Sequence, residues 1–194
     1  MTILFDIGNV LLDLHFDRFQ QAIHGTSTPP DPDLLIHLKD PYEAGEITSE
    51  EFVNRSLEII TTDHTPETFI AAWEDIFTLN TPMWDLVREL KQEGHRLILF
   101  SNTNEIHANA FLSKYPEFAL FDHQHFSQNI GAIKPNDEFY QIAIKTYQLI
   151  PAETLYFDDL PDNIATGKRL GFQSHQYDIK NHQAALTWIQ GKLH

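Results

Sequence analysis

Four short apolar segments, Ile3 to Phe5, Arg96 to Phe100, Phe121 to Phe126 and Thr154 to Phe157, are rich in β-branched or aromatic residues, and each runs into a polar turn. Segments of that length and type predict strands. Between the later ones, apolar residues recur at helical spacing over Pro82 to Glu93, Asp137 to Tyr147 and Asn163 to Leu170, with Gly94 and Gly171 following the first and third. A glycine there supplies the left-handed residue that ends a helix and turns the chain back. Strands alternating with helices predict an α/β fold built on a doubly wound, mostly parallel sheet.

From about Leu14 to Asn80 the alternation stops, and the segment shows helical periodicity with no convincing buried strand. It is expected to be an inserted helical cap, which divides the chain into a core of residues 1–13 and 81–194 and a cap of residues 14–80. Within the cap, Thr48-Ser49-Glu50-Glu51 reads as a capping box: Thr48 accepts from the Glu51 amide, and the Glu51 side chain reaches back to Thr48. Thr28-Pro29-Pro30-Asp31-Pro32 predicts a stiff turn between cap helices, and Thr81-Pro82 marks the return to the core.

Composition narrows the chemistry. The 194 residues are enough for one domain with a modest insertion and a sizeable core. The absence of cysteine removes thiolate nucleophiles, thiolate metal sites and disulfides together, and suits a reducing compartment. The apolar start, Met1 to Leu14, is interrupted by Asp6 and lacks a basic leader, and no apolar run approaches the roughly 20 residues that span a bilayer. A cytoplasmic location is expected. The net charge of −15 argues against nucleic acid and anionic membrane surfaces as partners. It leaves room for a small anionic substrate, because a metal or a single lysine can dominate the field inside a cleft. No long apolar stripe lacks a home in the core, so a monomer is expected.

In open parallel sheets ligands bind at the carboxyl ends of the strands. There the chain carries Asp6 after the first strand, Ser101-Asn102-Thr103-Asn104 after the second, Lys134-Pro135 beyond the third, and Asp158-Asp159 at the end of the fourth. Each has an alternative reading alone: Asp6 as an acceptor for turn amides, Ser101 to Asn104 as a helix N-cap, Lys134 as a solvated surface lysine, and the aspartate pair as a cap for the next helix. Together, in this order, they point to one cleft.

The segments Phe5-Asp6-Ile7-Gly8-Asn9-Val10, Leu99-Phe100-Ser101-Asn102-Thr103, Gly131-Ala132-Ile133-Lys134-Pro135 and Tyr156-Phe157-Asp158-Asp159 with Asp162-Asn163 resemble the four motifs of the haloacid dehalogenase-like superfamily. The resemblance covers essentially the whole chain and implies a Rossmann-like core. Asp6-Ile7-Gly8-Asn9-Val10, His107 behind the second motif and Gly45-Glu46-Ile47 in the cap most resemble bacterial sugar-phosphate phosphatases, the α-D-glucose-1-phosphate phosphatases above all. That implies a Mg²⁺-dependent phosphatase acting on a small phosphorylated metabolite such as glucose 1-phosphate. A carboxylate at Asp6 can attack phosphorus and form an aspartyl phosphate, provided a hard cation reduces the repulsion between two anions.

By the resemblance, Asp6, the Gly8 carbonyl and Asp159 hold the metal, with Asp158 in or beside its ligand set. Lys134 would pair with transferring oxygens, and Ser101 with the Asn102 amide would hold another. Many phosphatases of the superfamily carry a second aspartate two residues after the nucleophile, as acid and base. Here that position is Gly8. A sugar 1-phosphate, whose leaving group has a lowered pKa, would need such an acid less. His107 is a candidate substitute acid or substrate contact, with a packing role as its alternative. Trp73, Tyr42 and Glu46 are candidates for sugar contact, with Trp73 better suited to the cap's core. Two rivals are a 2-haloacid dehalogenase using the same aspartate without metal, against which the doubled aspartates argue, and a silent binding protein of the same fold.

Overall fold

The computed structural model of the chain describes residues 1–24, 32–60 and 63–193. In chain order the elements are β1 (Thr2–Phe5), β2 (Leu12–Leu14), α1 (Phe16–His24), α2 (Pro32–Glu43), α3 (Ser49–Ile60), α4 (Pro66–Glu74), β3 (Phe77–Leu79), α5 (Thr81–Gln92), β4 (Arg96–Ser101), α6 (Glu105–Lys114), β5 (His123–Phe126), α7 (Ser127–Ile130), α8 (Asp137–Tyr147), β6 (Thr154–Asp158), α9 (Pro161–Arg169), β7 (Gln173–Gln176) and α10 (His182–Leu193).

Five strands form one wholly parallel sheet in the order β5-β4-β1-β6-β7. The chain runs outward from β1 through β4 to β5, then crosses to β6 and β7 on the other side, so the strand order reverses at β1. Such a reversal opens a crevice at the carboxyl ends of the strands. Successive residues of the central strands feed opposite faces. Ile3, Phe5, Leu97, Leu99, Leu155 and Phe157 join one core cluster, whereas Leu4, Ile98, Phe100 and Tyr156 join the other. The near-continuous apolar character of these strands follows, since both faces are covered by helices.

Helices α1 to α4 lie between β2 and β3 and belong to the first of these clusters. Phe19, Phe52, Phe69 and Trp73 pack ring against ring, and Trp73 stacks on His107 of α6 with centroids 4.8 Å apart. This inserted layer shares its apolar contacts with the sheet's own helices. Its α2 ends against the core at two points. The Tyr42 hydroxyl accepts from the Ile106 amide at 3.2 Å, and Gly45, at φ +73°, sits where an added Cβ would lie 2.5 Å from the Gln128 carbonyl oxygen.

Between Leu14 and Asn80 the sequence predicts helices with no convincing buried strand. Instead β2 and β3 pair as an antiparallel ribbon, Leu12 with Leu79 and Leu14 with Phe77, at the place where the inserted segment leaves and rejoins the core. Strands of three residues are too short for a two-residue alternation to register. The strand β7 was also unanticipated, because Gln173–Gln176 is polar and lies at the sheet edge. The third strand begins at His123, not Phe121, with the Asp122 side chain just before it accepting from Lys91 and from the Leu97 amide. Half of the capping box forms: the Glu51 amide donates to Thr48 Oγ1 at 3.1 Å, while the Glu51 carboxylate accepts from Arg55. The expected turn at Thr28 to Pro32 lies outside the described residues apart from Pro32 itself, which opens α2.

Candidate active site

Asp6 is the first residue beyond β1, and its amide donates to the Phe157 carbonyl, so the backbone holds it beside the end of β6. The next turn is bound tightly. The Ile7 carbonyl accepts from the amides of Val10, Leu11 and Leu12, while Asn80 Nδ2 and Trp84 Nε1 donate to the carbonyls of Val10 and Leu11 at 2.6 and 2.8 Å. Asn9 adopts φ +51°, a left-handed conformation that asparagine tolerates better than most residues. That geometry sends Asn9 Nδ2 to Asp159 Oδ2 at 3.0 Å.

Lys134 reaches this point from beyond β5. Its side chain is 1% exposed, and its ammonium donates to Asp6 Oδ1 at 2.8 Å, Asp158 Oδ2 at 2.6 Å and the Phe100 carbonyl at 2.9 Å. An ammonium has three donors, and all three are spent inside the protein. Where the resemblance implies that Lys134 pairs with the substrate's oxygens, its ammonium here holds Asp6 and Asp158. Asn102 holds it there, exchanging two hydrogen bonds with the Lys134 backbone at 2.8 and 2.9 Å. The Asn102 side chain is therefore a brace. Ser101 lines the cavity, its hydroxyl turned to the Asn102 carbonyl at 3.2 Å, and Asn104 caps α6 by accepting from the His107 amide.

Asp158 is fully buried. One oxygen accepts from Lys134 and from the Tyr156 hydroxyl at 2.5 Å, the other from the Leu160 amide and Asn163 Nδ2 at 2.9 Å each. Its four acceptor positions are filled by protein donors, which makes it the counter-ion of Lys134 and sets it beside Asp6 and Asp159 rather than free to face the cavity. Asp6, Asp158 and Asp159 still bring carboxylate oxygens within 4.8 Å of one another. Three carboxylates against one lysine leave the site short of positive charge. Burial, with Asp158 and Asp159 adding to it and Lys134 opposing, pushes the Asp6 carboxyl up to about 7. Burial, opposed by the Asn9 hydrogen bond, raises Asp159. Lys134 is shifted upward: burial favours its neutral form, but Asp158 and Asp6 outweigh it. It stays an ammonium.

Asp6, Gly8, Asn9, Ser101, Asn102, Lys134 and Asp159 line one cavity of about 260 Å³, whose far wall comes from the inserted helices through Lys39 and Glu43. His107 also lines it, yet Nε2 donates to the Trp73 carbonyl at 3.0 Å and Nδ1 accepts from Asn104 Nδ2 at 3.1 Å. Burial drives its pKa down to about 3. A neutral ring with both nitrogens occupied is a packing element, so the substitute-acid and substrate-contact readings of His107 give way. Trp73 and Tyr42 are buried in the aromatic layer and Glu46 is exposed; none of the three lines the cavity. Among the residues that sequence reasoning missed are Asn9, Tyr156, Lys39 and Glu43. The first two sit inside quoted motifs, and the last two carry no local signal.

The chain and its fold have counterparts. The chain is 29% identical over 189 residues to the D-ribitol-5-phosphate phosphatase of Bacteroides thetaiotaomicron, with 90% of each chain covered. A haloacid dehalogenase family enzyme of Bacteroides thetaiotaomicron has the same fold, with a TM-score of 0.86 at 23% identity over 96% of this chain and 97% of that one. The wild-type enzyme of that description, solved in complex with magnesium and inorganic phosphate, superposes with a TM-score of 0.76 at 22% identity, covering 92% and 94% of the two chains. A family hydrolase from Porphyromonas gingivalis superposes with a TM-score of 0.79 at 28% identity, covering 97% of each. The family model for haloacid dehalogenase-like hydrolases matches residues 1–171, from the strand that presents Asp6 to the turn beyond α9, and the chain belongs to that family.

Proposed function

We propose that this hydrolase is a magnesium-dependent phosphatase that transfers phosphate from a small phosphorylated polyol or sugar to Asp6 and then to water. The observation that carries the reading is the Asp6 carboxylate, buried to 10% side-chain exposure at a strand end, oriented by Lys134 and opening on a cavity it shares with Asp159. Lys134 fixes one Asp6 oxygen, which leaves the other to attack phosphorus, and Ser101 with the Asn102 amide holds a phosphoryl oxygen.

The donor set suits Mg²⁺, being all oxygen and poor in compensating cations. Asp6, the Gly8 carbonyl and Asp159 would hold it, and the bound ion would lessen the repulsion between Asp6 and the phosphoryl group. Residues 14–80 act as the cap in this reading and residues 1–13 with 81–194 as the catalytic core. The named relative supports a phosphorylated polyol such as ribitol 5-phosphate, while Gly8 in place of a second aspartate is the argument for glucose 1-phosphate. No described helix is long and apolar enough to cross a membrane. The net charge of −15 favours a small molecule over nucleic acid as the substrate.

The test is phosphate release from ribitol 5-phosphate, glucose 1-phosphate and glucose 6-phosphate with Mg²⁺ and with EDTA. Magnesium-dependent release abolished by Asp6→Asn is expected. Release that survives Asp6→Asn, or no release from any phosphate, would remove the phosphatase reading.

A further inference from the structure

If Gly8 cannot serve as acid and base, a group elsewhere in the cavity must protonate an alkoxide leaving group and later accept a proton from water. The wall residues narrow the choice. His107 has both nitrogens engaged, Lys134 has spent its three donors, and Asp6 and Asp159 belong to the phosphoryl and cation side. On the opposite wall Glu43, at the end of α2, has a side chain 8% exposed that lines the same cavity, and Lys39 one turn earlier donates to its Oε2 at 3.0 Å.

The placement of Glu43 is unusually constrained. Tyr42, on one side, donates to Ser49 Oγ and accepts from the Ile106 amide, while Ser49 donates to Glu105. Gly45, on the other, lies so close to the Gln128 carbonyl that no side chain fits. Two attachments to the core, at residues 42 and 45, therefore fix the carboxyl against the cleft. The charged groups that act on it are Lys39, Asp40 and Lys134. Burial raises its pKa, with Lys39 opposing, which moves the carboxyl toward the pH range in which it can both give and take a proton.

We propose that Glu43 is the general acid and base of this enzyme, taking the place of the aspartate missing at position 8. The proposal rests on the phosphatase reading above. As the Asp6 oxygen bonds to phosphorus and the bond from phosphorus to the leaving oxygen breaks, the Glu43 carboxyl gives its proton to that oxygen. The carboxylate so formed is stabilised by Lys39. Water then attacks the phosphorus of the aspartyl phosphate, its proton returns to Glu43, and Asp6 leaves as a carboxylate. A primary alcohol such as ribitol thereby becomes an acceptable leaving group, and the enzyme is not confined to sugar 1-phosphates.

The experiment compares kcat/KM of the wild-type enzyme and Glu43→Gln, with Mg²⁺, on ribitol 5-phosphate and on p-nitrophenyl phosphate, whose leaving group needs no acid. General acid catalysis is worth about 10²–10⁴-fold, so a loss of that order is expected on ribitol 5-phosphate with p-nitrophenyl phosphate little changed. The retained kcat/KM on the second substrate, which reports the first step alone, doubles as the control for folding, while kcat falls on both because they share the aspartyl-phosphate step. Equal losses of kcat/KM on both substrates, or none on either, would overturn the proposal. A measurement without any variant guards it further: wild-type kcat/KM over a series of aryl and alkyl phosphates should depend weakly on leaving-group pKa, and a steep dependence would overturn it. A wild-type enzyme that hydrolyses none of these phosphates, glucose 1-phosphate and glucose 6-phosphate included, removes the phosphatase reading and this inference together, whereas one that hydrolyses both test substrates with unchanged selectivity in Glu43→Gln removes only the inference.

Discussion

Replacing Lys134 by methionine tests the electrostatics of the site most directly, because the side chain keeps its length and loses its charge. The ammonium lies 2.8 Å from Asp6 and 2.6 Å from Asp158, with its own side chain 1% exposed. Removing one member of a buried ion pair typically costs about 3–5 kcal/mol, since the partner is left buried and uncompensated. Here two carboxylates lose the same cation, so a loss at the upper end of that range is expected, against a total stability of about 5–15 kcal/mol for an ordinary domain. The pH dependence carries the sharper test. In the wild-type protein the Asp6 carboxyl, raised from 3.8 to about 7, binds more protons in the folded state than in the unfolded state over that interval, so its contribution to stability falls as pH rises through it and is level above it. Without Lys134 the folded pKa moves higher still, and the decline continues past pH 7. The destabilisation measured by urea denaturation in EDTA should therefore be greater at pH 9 than at pH 6 by about 1–3 kcal/mol. A destabilisation that is the same at both pH values, or under about 1 kcal/mol throughout, would show that Lys134 does not compensate the carboxylates and refute the reasoning.

Gly45→Ala adds a Cβ 2.5 Å from the Gln128 carbonyl at a positive φ; overpacking of this kind costs about 1–3 kcal/mol, or roughly 2–12 °C in melting temperature at this chain length, readable by calorimetry. His107 should remain neutral from pH 8 to pH 5 in a histidine NMR titration, because burial holds it down at about 3. Its sign is opposite to that of Asp6: the unfolded chain takes up the proton first, so the stability owed to a neutral His107 is complete above about pH 6.5 and is lost as pH falls toward 3. Titration of the His107 ring near pH 6.5 in the folded protein would contradict the Trp73 and Asn104 hydrogen bonds.

The sheet was legible because a parallel strand covered on both faces needs a nearly unbroken apolar run, and Ile3 to Phe5, Arg96 to Phe100 and Thr154 to Phe157 are such runs. The helix from Asp137 to Tyr147 was read with its observed bounds. Where burial is one-sided or the element short, as in the β2–β3 ribbon and β7, the signal was too weak. Asp6, Ser101, Lys134 and the aspartate pair were visible because the ends of parallel strands are where a crevice forms. Their division of labour was not. The motif resemblance puts Asp159 ahead of Asp158, but only the hydrogen bonds from Lys134, Tyr156, Leu160 and Asn163 show that Asp158 is saturated while Asp159 lines the cavity.

The sequence by itself thus determined the fold class, the strand ends that carry the chemistry and the family, because each follows from periodicities and motifs within a few residues of one another. Tertiary structure decided that Lys134 serves Asp6 and Asp158, that His107 is a neutral packing ring, and that Lys39 and Glu43 of the inserted helices line the same cavity as Asp6. The distinction is physical. Hydrophobic period and turn chemistry are local properties of a chain, whereas the protonation and availability of a side chain depend on what burial and folding bring against it from 24, 34 or 128 residues away, as at Lys134.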